Sequence, residues 1–105
     1  MVRPHSRVLI GSAAASGDVG PWAPNLDRND APIKLELWGV FVGTVQVLRS
    51  TDDGVNKLPL RIAGTEWAKY TAPGVEEVWD ETDPFAKFWI SITLTSGTVN
   101  YRLAQ

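Results

Sequence analysis

Apolar and polar residues alternate along three stretches of this chain, and this alternation constrains the fold more than any other feature of the sequence. The three stretches are residues 33–38, 85–95 and 98–103. A period of two residues is typical of a β-strand with one buried face. The last two stretches predict one core that contains Phe88, Ile90, Ile92, Leu94, Val99, Tyr101 and Leu103. We therefore expect an all-β fold with almost no helix.

Turn-forming residues separate further strand-like segments, which lie at residues 44–49, 58–62 and 66–71. Strands that follow one another at intervals of about ten residues are typical of a sandwich or barrel. Asp53-Gly54 tolerates the positive φ of a tight turn. Ser96-Gly97 is a second turn, so the last two strands are expected to pair as a hairpin. The pattern predicts an antiparallel β-sandwich of the jelly-roll kind over residues 33–105.

Residues 75–82 fit two local structures. Val75, Val78 and Trp79 could lie on one side of a helical turn, or the segment could form a short strand that leads into an acidic loop. Isolated short helices are weak in water. We therefore favour the strand.

Residues 1–32 differ in composition from the rest of the chain. They are rich in Gly and Pro, which favour extended or turning backbone, and only residues 7–10 have the character of a strand. We expect an extended N-terminal arm in front of the sandwich, with one domain overall. The arm also carries apolar residues that need a surface to cover. That surface is either the protein's own sandwich, over Trp38 or Trp89, or a neighbouring subunit.

Composition narrows the possible partners. The chain has 105 residues, which is the size of one domain, and it has no cysteine, which excludes disulfides and thiolate sites. Its net charge of -2 makes nucleic acid an unexpected partner. The apolar run Val8 to Ile10 is too short for a secretory signal, and no run is long enough to cross a membrane. We expect a protein that is made and kept in a cytoplasm, with no membrane partner.

The sequence offers no catalytic constellation. The single histidine, His5, has no acid or nucleophile at a useful spacing, and no phosphate-loop or zinc-protease motif is present. The acidic run at residues 76–83 matches no calcium loop and is expected to be a solvated loop. Asp52 and Asp53 are adjacent on a turn, which suits turn formation better than paired carboxylate catalysis. We expect no enzyme activity, no cofactor and no metal.

Five tryptophans are more than a core of this size needs. Trp38 and Trp89 alternate with core residues and are therefore expected on outer faces, outside the main core. Three interpretations remain open: they pack under the arm or loops, they anchor a protein interface, or they stack on sugars. The candidate interface residues are Trp22, Trp38, Trp89, Val8, Ile10 and Leu26.

Three segments of the chain resemble small structural proteins of tailed bacteriophages. They are residues 43–54, 70–74 and 95–105, which read GTVQVLRSTDDG, YTAPG and TSGTVNYRLAQ. The resemblance implies a virion component, and most of all a capsid decoration or cement protein. Such proteins are small, cysteine-poor and β-rich, and they bridge capsid subunits on the outside of the head.

The resemblance also sets the expected partners and location. The partners are the major capsid protein and further copies of the chain, with a trimer favoured. The expected location is the capsid surface, after a period in the host cytoplasm during assembly. The alternative is a carbohydrate- or receptor-binding module of a tail fibre or baseplate, which would stack sugars on Trp38 or Trp89.

Overall fold

Ten β-strands form the framework of the protein in a computed structural model that describes residues 8–24 and 32–105. The strands are β1 (Val8–Ala13), β2 (Gly17–Trp22), β3 (Ile33–Trp38), β4 (Phe41–Ser50), β5 (Leu58–Ile62), β6 (Thr65–Trp67), β7 (Lys69–Tyr70), β8 (Gly74–Trp79), β9 (Lys87–Gly97) and β10 (Val99–Ala104). The described residues contain no helix. The all-β prediction is therefore confirmed.

The strands form two antiparallel sheets. One sheet has the order β1-β10-β3-β8, and the other has the order β2-β9-β4-β5-β6, with β7 also paired to β4. The buried side chains of both sheets contribute to one core, whose largest fully buried members are Phe88, Ile33, Leu35, Ile90, Leu103, Val45, Val47, Val78 and Val99. This arrangement is consistent with a β-sandwich.

The strand pairs are nested along the chain. β1 pairs with β10, β2 with β9, β3 with β8 and β4 with β7, always antiparallel. Short connections at residues 14–16, 39–40, 71–73 and 98 carry the chain from one sheet to the other. The β5–β6 hairpin lies between β4 and β7 in the sequence. The chain is therefore a long antiparallel two-stranded ribbon, whose successive strand pairs lie alternately in one sheet and in the other.

The expected hairpin between the last two strands is wrong. β9 belongs to one sheet and β10 to the other, and the backbone changes sheet at Gly97, whose φ is 85°. The next residue, Thr98, donates its N–H to the carbonyl of Val40 at 2.9 Å. A period of two residues indicates which face is buried but not which strand is the neighbour. The predicted core still holds, because the inner faces of both strands meet there, with Leu94 partly buried at its margin.

The segment from residue 66 to 71 is divided into two strands. Ala68 lies between β6 and β7 with a φ of 60°, and its carbonyl accepts a 2.9 Å hydrogen bond from the N–H of Val47. The strand interpretation of residues 75–82 agrees with β8, which ends at Trp79 before the acidic loop.

The extended arm is not confirmed over its described part. β1 and β2 lie at the edges of the two sheets, and all six residues of β1 pair with β10. The glycines that resemble a linker make room for aromatic rings: a Cβ on Gly11 would lie 2.7 Å from the Tyr101 hydroxyl, and a Cβ on Gly20 would lie 2.8 Å from Cδ1 of Trp89. His5 and Leu26 lie outside the described residues.

Candidate functional site

Trp89 lies outside the main core, as expected, but it is not available to a partner. Its side chain is only 7% exposed, on the outer side of the β2-β9-β4 sheet. Gly20 of β2 and Gly54 of the β4–β5 loop approach the indole closely, and the Lys57 ammonium lies 5.0 Å from the ring centroid. Lys57 also pairs with Asp18 of β2 at 3.4 Å. The interpretation in which N-terminal residues and a loop cover Trp89 is therefore the one that the structure favours.

Trp22 is likewise buried. It packs on Phe88 with ring centroids 6.0 Å apart and belongs to the hydrophobic core. Its assignment to an interface needs correction, as does that of Trp89, because a buried indole offers no surface to a partner. The physical reason is that β2 joins a sheet, so Trp22 lies directly opposite Phe88.

Trp38 and Ile10 are exposed on the outer face of the β1-β10-β3-β8 sheet. Their exposed fractions are 44% and 60%, and Val75 of β8 is exposed on the same face. The register places Ile10, Arg102, Glu36 and Val75 in one row across the four strands, with an Arg102–Glu36 ion pair of 3.8 Å at its centre. We call Ile10, Glu36, Trp38, Val75 and Arg102 the outer sheet face. Val8, another candidate interface residue, is half-buried at the start of β1.

The connection between β3 and β4 extends this apolar surface. Val40 is almost fully exposed there, and Val42 is also exposed. The connection is held in place, because Thr98 donates to the Val40 carbonyl and the side-chain amide of Asn100 donates to the carbonyl of Trp38 at 3.3 Å. Hydrogen bonds therefore hold the backbone that carries these exposed valines.

A second surface lies along β5, β6 and β8. A cavity of about 420 Å³ is lined by Arg49, Ser50, Thr51, Asp52, Asn56, Leu58, Pro59, Leu60, Arg61 and Trp79. A second cavity of about 330 Å³ is lined by Pro32, Ile62, Trp67, Glu77, Val78, Trp79 and Asp80. Because both cavities share Trp79, we call them together the Trp79 groove. Trp67 is 39% exposed, and its Nε1 donates to the carbonyl of Val78 at 2.7 Å.

No sequence pattern predicts Trp67 or Trp79 as site residues. Trp67 ends a strand of three residues, and β8 contains a register shift opposite β3, so a simple alternation does not assign their faces. The tryptophan excess is the available signal, and the sequence analysis assigns it to Trp22, Trp38 and Trp89 instead.

Glu81 organises the loop that follows Trp79. Both of its carboxylate oxygens bind the Arg49 guanidinium, with 2.9 Å between Nη2 and Oε2, and Oε2 also accepts the N–H groups of Thr82 and Asp83. Burial alone would raise the pKa of Glu81, but these hydrogen bonds and the Arg49 charge hold the pKa below its usual value. One carboxylate of the acidic run, that of Glu81, therefore has a structural role.

Asp52 serves the turn between β4 and β5. Its carboxylate accepts hydrogen bonds from the Ser50 hydroxyl at 2.5 Å and from the backbone and side-chain amides of Asn56. The Ser50 hydrogen bond, followed by those of Asn56, lowers the pKa of Asp52. Asp53 has a φ of 58°, in agreement with its predicted place in a tight turn.

Comparisons with known proteins give no relatives. No family model matches the chain, and no curated protein and no solved structure is significantly similar to it. The resemblance to phage structural proteins therefore stays a prediction.

Two features are absent from the described residues. Within residues 8–24 and 32–105, no group of three or more His, Cys, Asp or Glu side chains is placed to hold a metal ion. The same residues include no helix that is long and apolar enough to cross a membrane. What the geometry offers is a surface with exposed apolar anchors and a groove with one exposed indole, Trp67, and one half-buried indole, Trp79, both of which suit binding.

Proposed function

We propose that this protein is a capsid decoration, or cement, protein of a tailed bacteriophage. In this role it binds the major capsid protein on the outside of the head and bridges neighbouring capsid subunits. The observation that carries the proposal is the outer sheet face, where Trp38, Ile10 and Val75 are exposed around one ion pair. Exposed aromatic residues and arginine are enriched at protein interfaces.

The strand order supports a jelly roll as the finer description of the fold. A jelly roll is an eight-strand sandwich built from two Greek keys, and the four nested strand pairs described above support this part of the proposal. The β5–β6 hairpin is then an insertion. An attachment role for the N-terminal segment remains part of the proposal, and it begins at β1, which in the described part of the chain has β10 as its only strand neighbour.

The proposal includes a homo-oligomer, with a trimer favoured, at the capsid surface and earlier in the host cytoplasm. The protein acts by mass action and not as an enzyme, because a ligand that binds only the assembled shell stabilises it. Neither nucleic acid nor a membrane is a proposed partner. Sedimentation at micromolar concentration tests the oligomer, and a stable monomer contradicts it.

Co-sedimentation with filled heads of the phage that carries the gene tests the central claim. We expect the wild-type chain to sediment with heads, and Trp38→Lys or Ile10→Lys to lower the affinity by about 30-fold, the effect of losing a buried anchor. The matched control is Val55→Lys, which changes an exposed valine in the loop after β4 and should bind normally. Sedimentation with free tails but not with heads would instead assign the chain to the tail.

A further inference from the structure

We infer that the Trp79 groove is a binding site for a neutral oligosaccharide. This site lies apart from the outer sheet face, and the inference goes beyond the proposed attachment to a shell. It uses other tryptophans than the two that the sequence suggested for sugar stacking. Support for this site comes in three parts: the indoles, the polar groups beside them, and the rigidity of the walls.

The first part concerns the two indoles of the groove. Trp79 lines both cavities, and Trp67 lines the smaller one. The hydrogen bond from Trp67 Nε1 to the Val78 carbonyl satisfies the polar end of that ring and holds its orientation. An indole held in this way at the surface presents an apolar face with no polar group left to satisfy. The C–H faces of sugar rings pack on such a surface.

The second part concerns hydrogen-bonding groups of both kinds. The larger cavity offers the Arg61 guanidinium as a donor, and the smaller one offers the carboxylates of Glu77 and Asp80 as acceptors. Within residues 8–24 and 32–105, none of these three forms a salt bridge. A sugar hydroxyl both donates and accepts a hydrogen bond, so a chain of sugars can use both cavities.

Charge selects among sugars. The described lining of the smaller cavity contains two carboxylates and no basic residue. Glu77 and Asp80 therefore repel an acidic sugar from the smaller cavity, so that an acidic chain does not span both cavities, and they accept hydrogen bonds from a neutral one. Volumes of about 420 and 330 Å³ fall in the range of small-ligand sites, which is about 300 to 1,000 Å³, and two adjoining cavities suit a chain better than a single ring.

The third part concerns the walls of the groove. Arg49 is bound by Glu81, two residues after Trp79, and Asp52 is held by Ser50 and Asn56. These side chains are already ordered before a ligand arrives. Binding therefore costs less conformational entropy than it would at a loose site.

The test is a calorimetric titration of the folded protein with four hexasaccharides. Maltohexaose, cellohexaose and chitohexaose are the neutral probes, and hexagalacturonate is the acidic control. We expect at least one neutral probe to bind with a Kd of about 10 μM to 1 mM, and hexagalacturonate not to bind. Failure of all three neutral probes at about 10 mM, or binding of hexagalacturonate alone, overturns the inference.

Variants locate the binding to the groove. Trp67→Ala should weaken it by about tenfold, and the matched control Trp38→Ala should leave it unchanged. The double variant Glu77→Gln with Asp80→Asn changes two exposed side chains, so it should fold normally and admit hexagalacturonate. Equal losses in Trp67→Ala and Trp38→Ala would overturn the assignment to this groove. Sedimentation with heads should be normal in Trp67→Ala, so failure of this inference is distinguishable from failure of the proposed function.

Discussion

Glu81 is the one charged side chain that is buried among residues 8–24 and 32–105. Its partners are the Arg49 guanidinium and the backbone amides of Thr82 and Asp83, so its charge is compensated on all sides. The cost of losing one partner of such a group is high, because the other charge is left without compensation. The acidic loop therefore depends on a carboxylate that a sequence pattern assigns to solvent.

Glu81→Gln should lower the free energy of unfolding at pH 7 by about 2 kcal/mol, since Arg49 is partly exposed and water replaces part of the lost interaction. The matched control is Glu66→Gln, which breaks the exposed ion pair with Lys69 and should cost less than about 0.5 kcal/mol. Urea unfolding measures both. Equal effects in the two variants would show that the burial of Glu81 does not change its contribution to the free energy of unfolding.

The depressed pKa of Glu81 also predicts a pH dependence. A carboxylate whose pKa is lower in the folded state stabilises the protein above its unfolded pKa, about 4.3, and this stabilisation is lost as the pH falls through the folded pKa. The difference in stability between wild type and Glu81→Gln should therefore shrink as the pH falls below about 4.3. A difference that stays constant down to acid pH would contradict the lowered pKa.

Gly20 is a packing position and not a flexible joint. A Cβ there would lie 2.8 Å from Trp89 Cδ1 and 2.9 Å from the Phe88 carbonyl, and φ is 144°. Gly20→Ala should destabilise the protein by about 1–3 kcal/mol, as overpacking does. Gly17→Ala in the same strand is the control, because its Cβ would have nothing within 4 Å. Thermal unfolding compares them, and equal melting temperatures would contradict the close packing.

At the scale of elements, the sequence predicts which face of a strand is buried, but it does not predict which strand lies next to it. The bounds predicted for β3 and β5 agree with the structure, because each lies between clear turn residues. Alternation does not show that β9 and β10 belong to different sheets and do not pair, since strands of opposite sheets bury the same kind of face. β2 is not predicted, and β1 is predicted only over residues 7–10, because their glycines resemble a linker, whereas the aromatic rings that need this space are far away in sequence.

The place of β2 in the structure gives an element-scale prediction. Trp22→Ala removes a buried indole beside Phe88 and should cost about 3–5 kcal/mol of unfolding free energy. Trp38→Ala removes an indole that is 44% exposed and should cost much less. Chemical denaturation distinguishes them. If Trp22→Ala unfolds at the wild-type denaturant concentration, β2 is an attachment arm after all and not part of the core.

At the scale of the whole molecule, the two outer surfaces differ in kind. One sheet covers its outer tryptophan, Trp89, with glycines and a lysine of the same chain. The other sheet leaves Trp38 exposed, two residues before the exposed Val40 of the β3–β4 connection. The Trp79 groove lies along β5, β6 and β8 and shares no lining residue with the outer sheet face. A protein that attaches by one surface can therefore bind a second ligand by another.

The proposed attachment predicts that the protein stabilises heads more strongly as its free concentration rises. A ligand that binds only the assembled shell contributes about 2.7 kcal/mol per site at 100 times its Kd, and further additions increase this only logarithmically. Heads saturated with the wild-type chain should therefore release their DNA at a higher temperature than bare heads. Trp38→Lys should give a much smaller increase at the same concentration, because a loss of affinity of about 30-fold reduces the stabilisation to about 0.9 kcal/mol per site. Heads saturated with the Val55→Lys control should show the same increase as with wild type, since Val55 lies in the loop after β4, apart from the outer sheet face. An increase that is equal for Trp38→Lys and wild type would mean that the outer sheet face does not contact the shell.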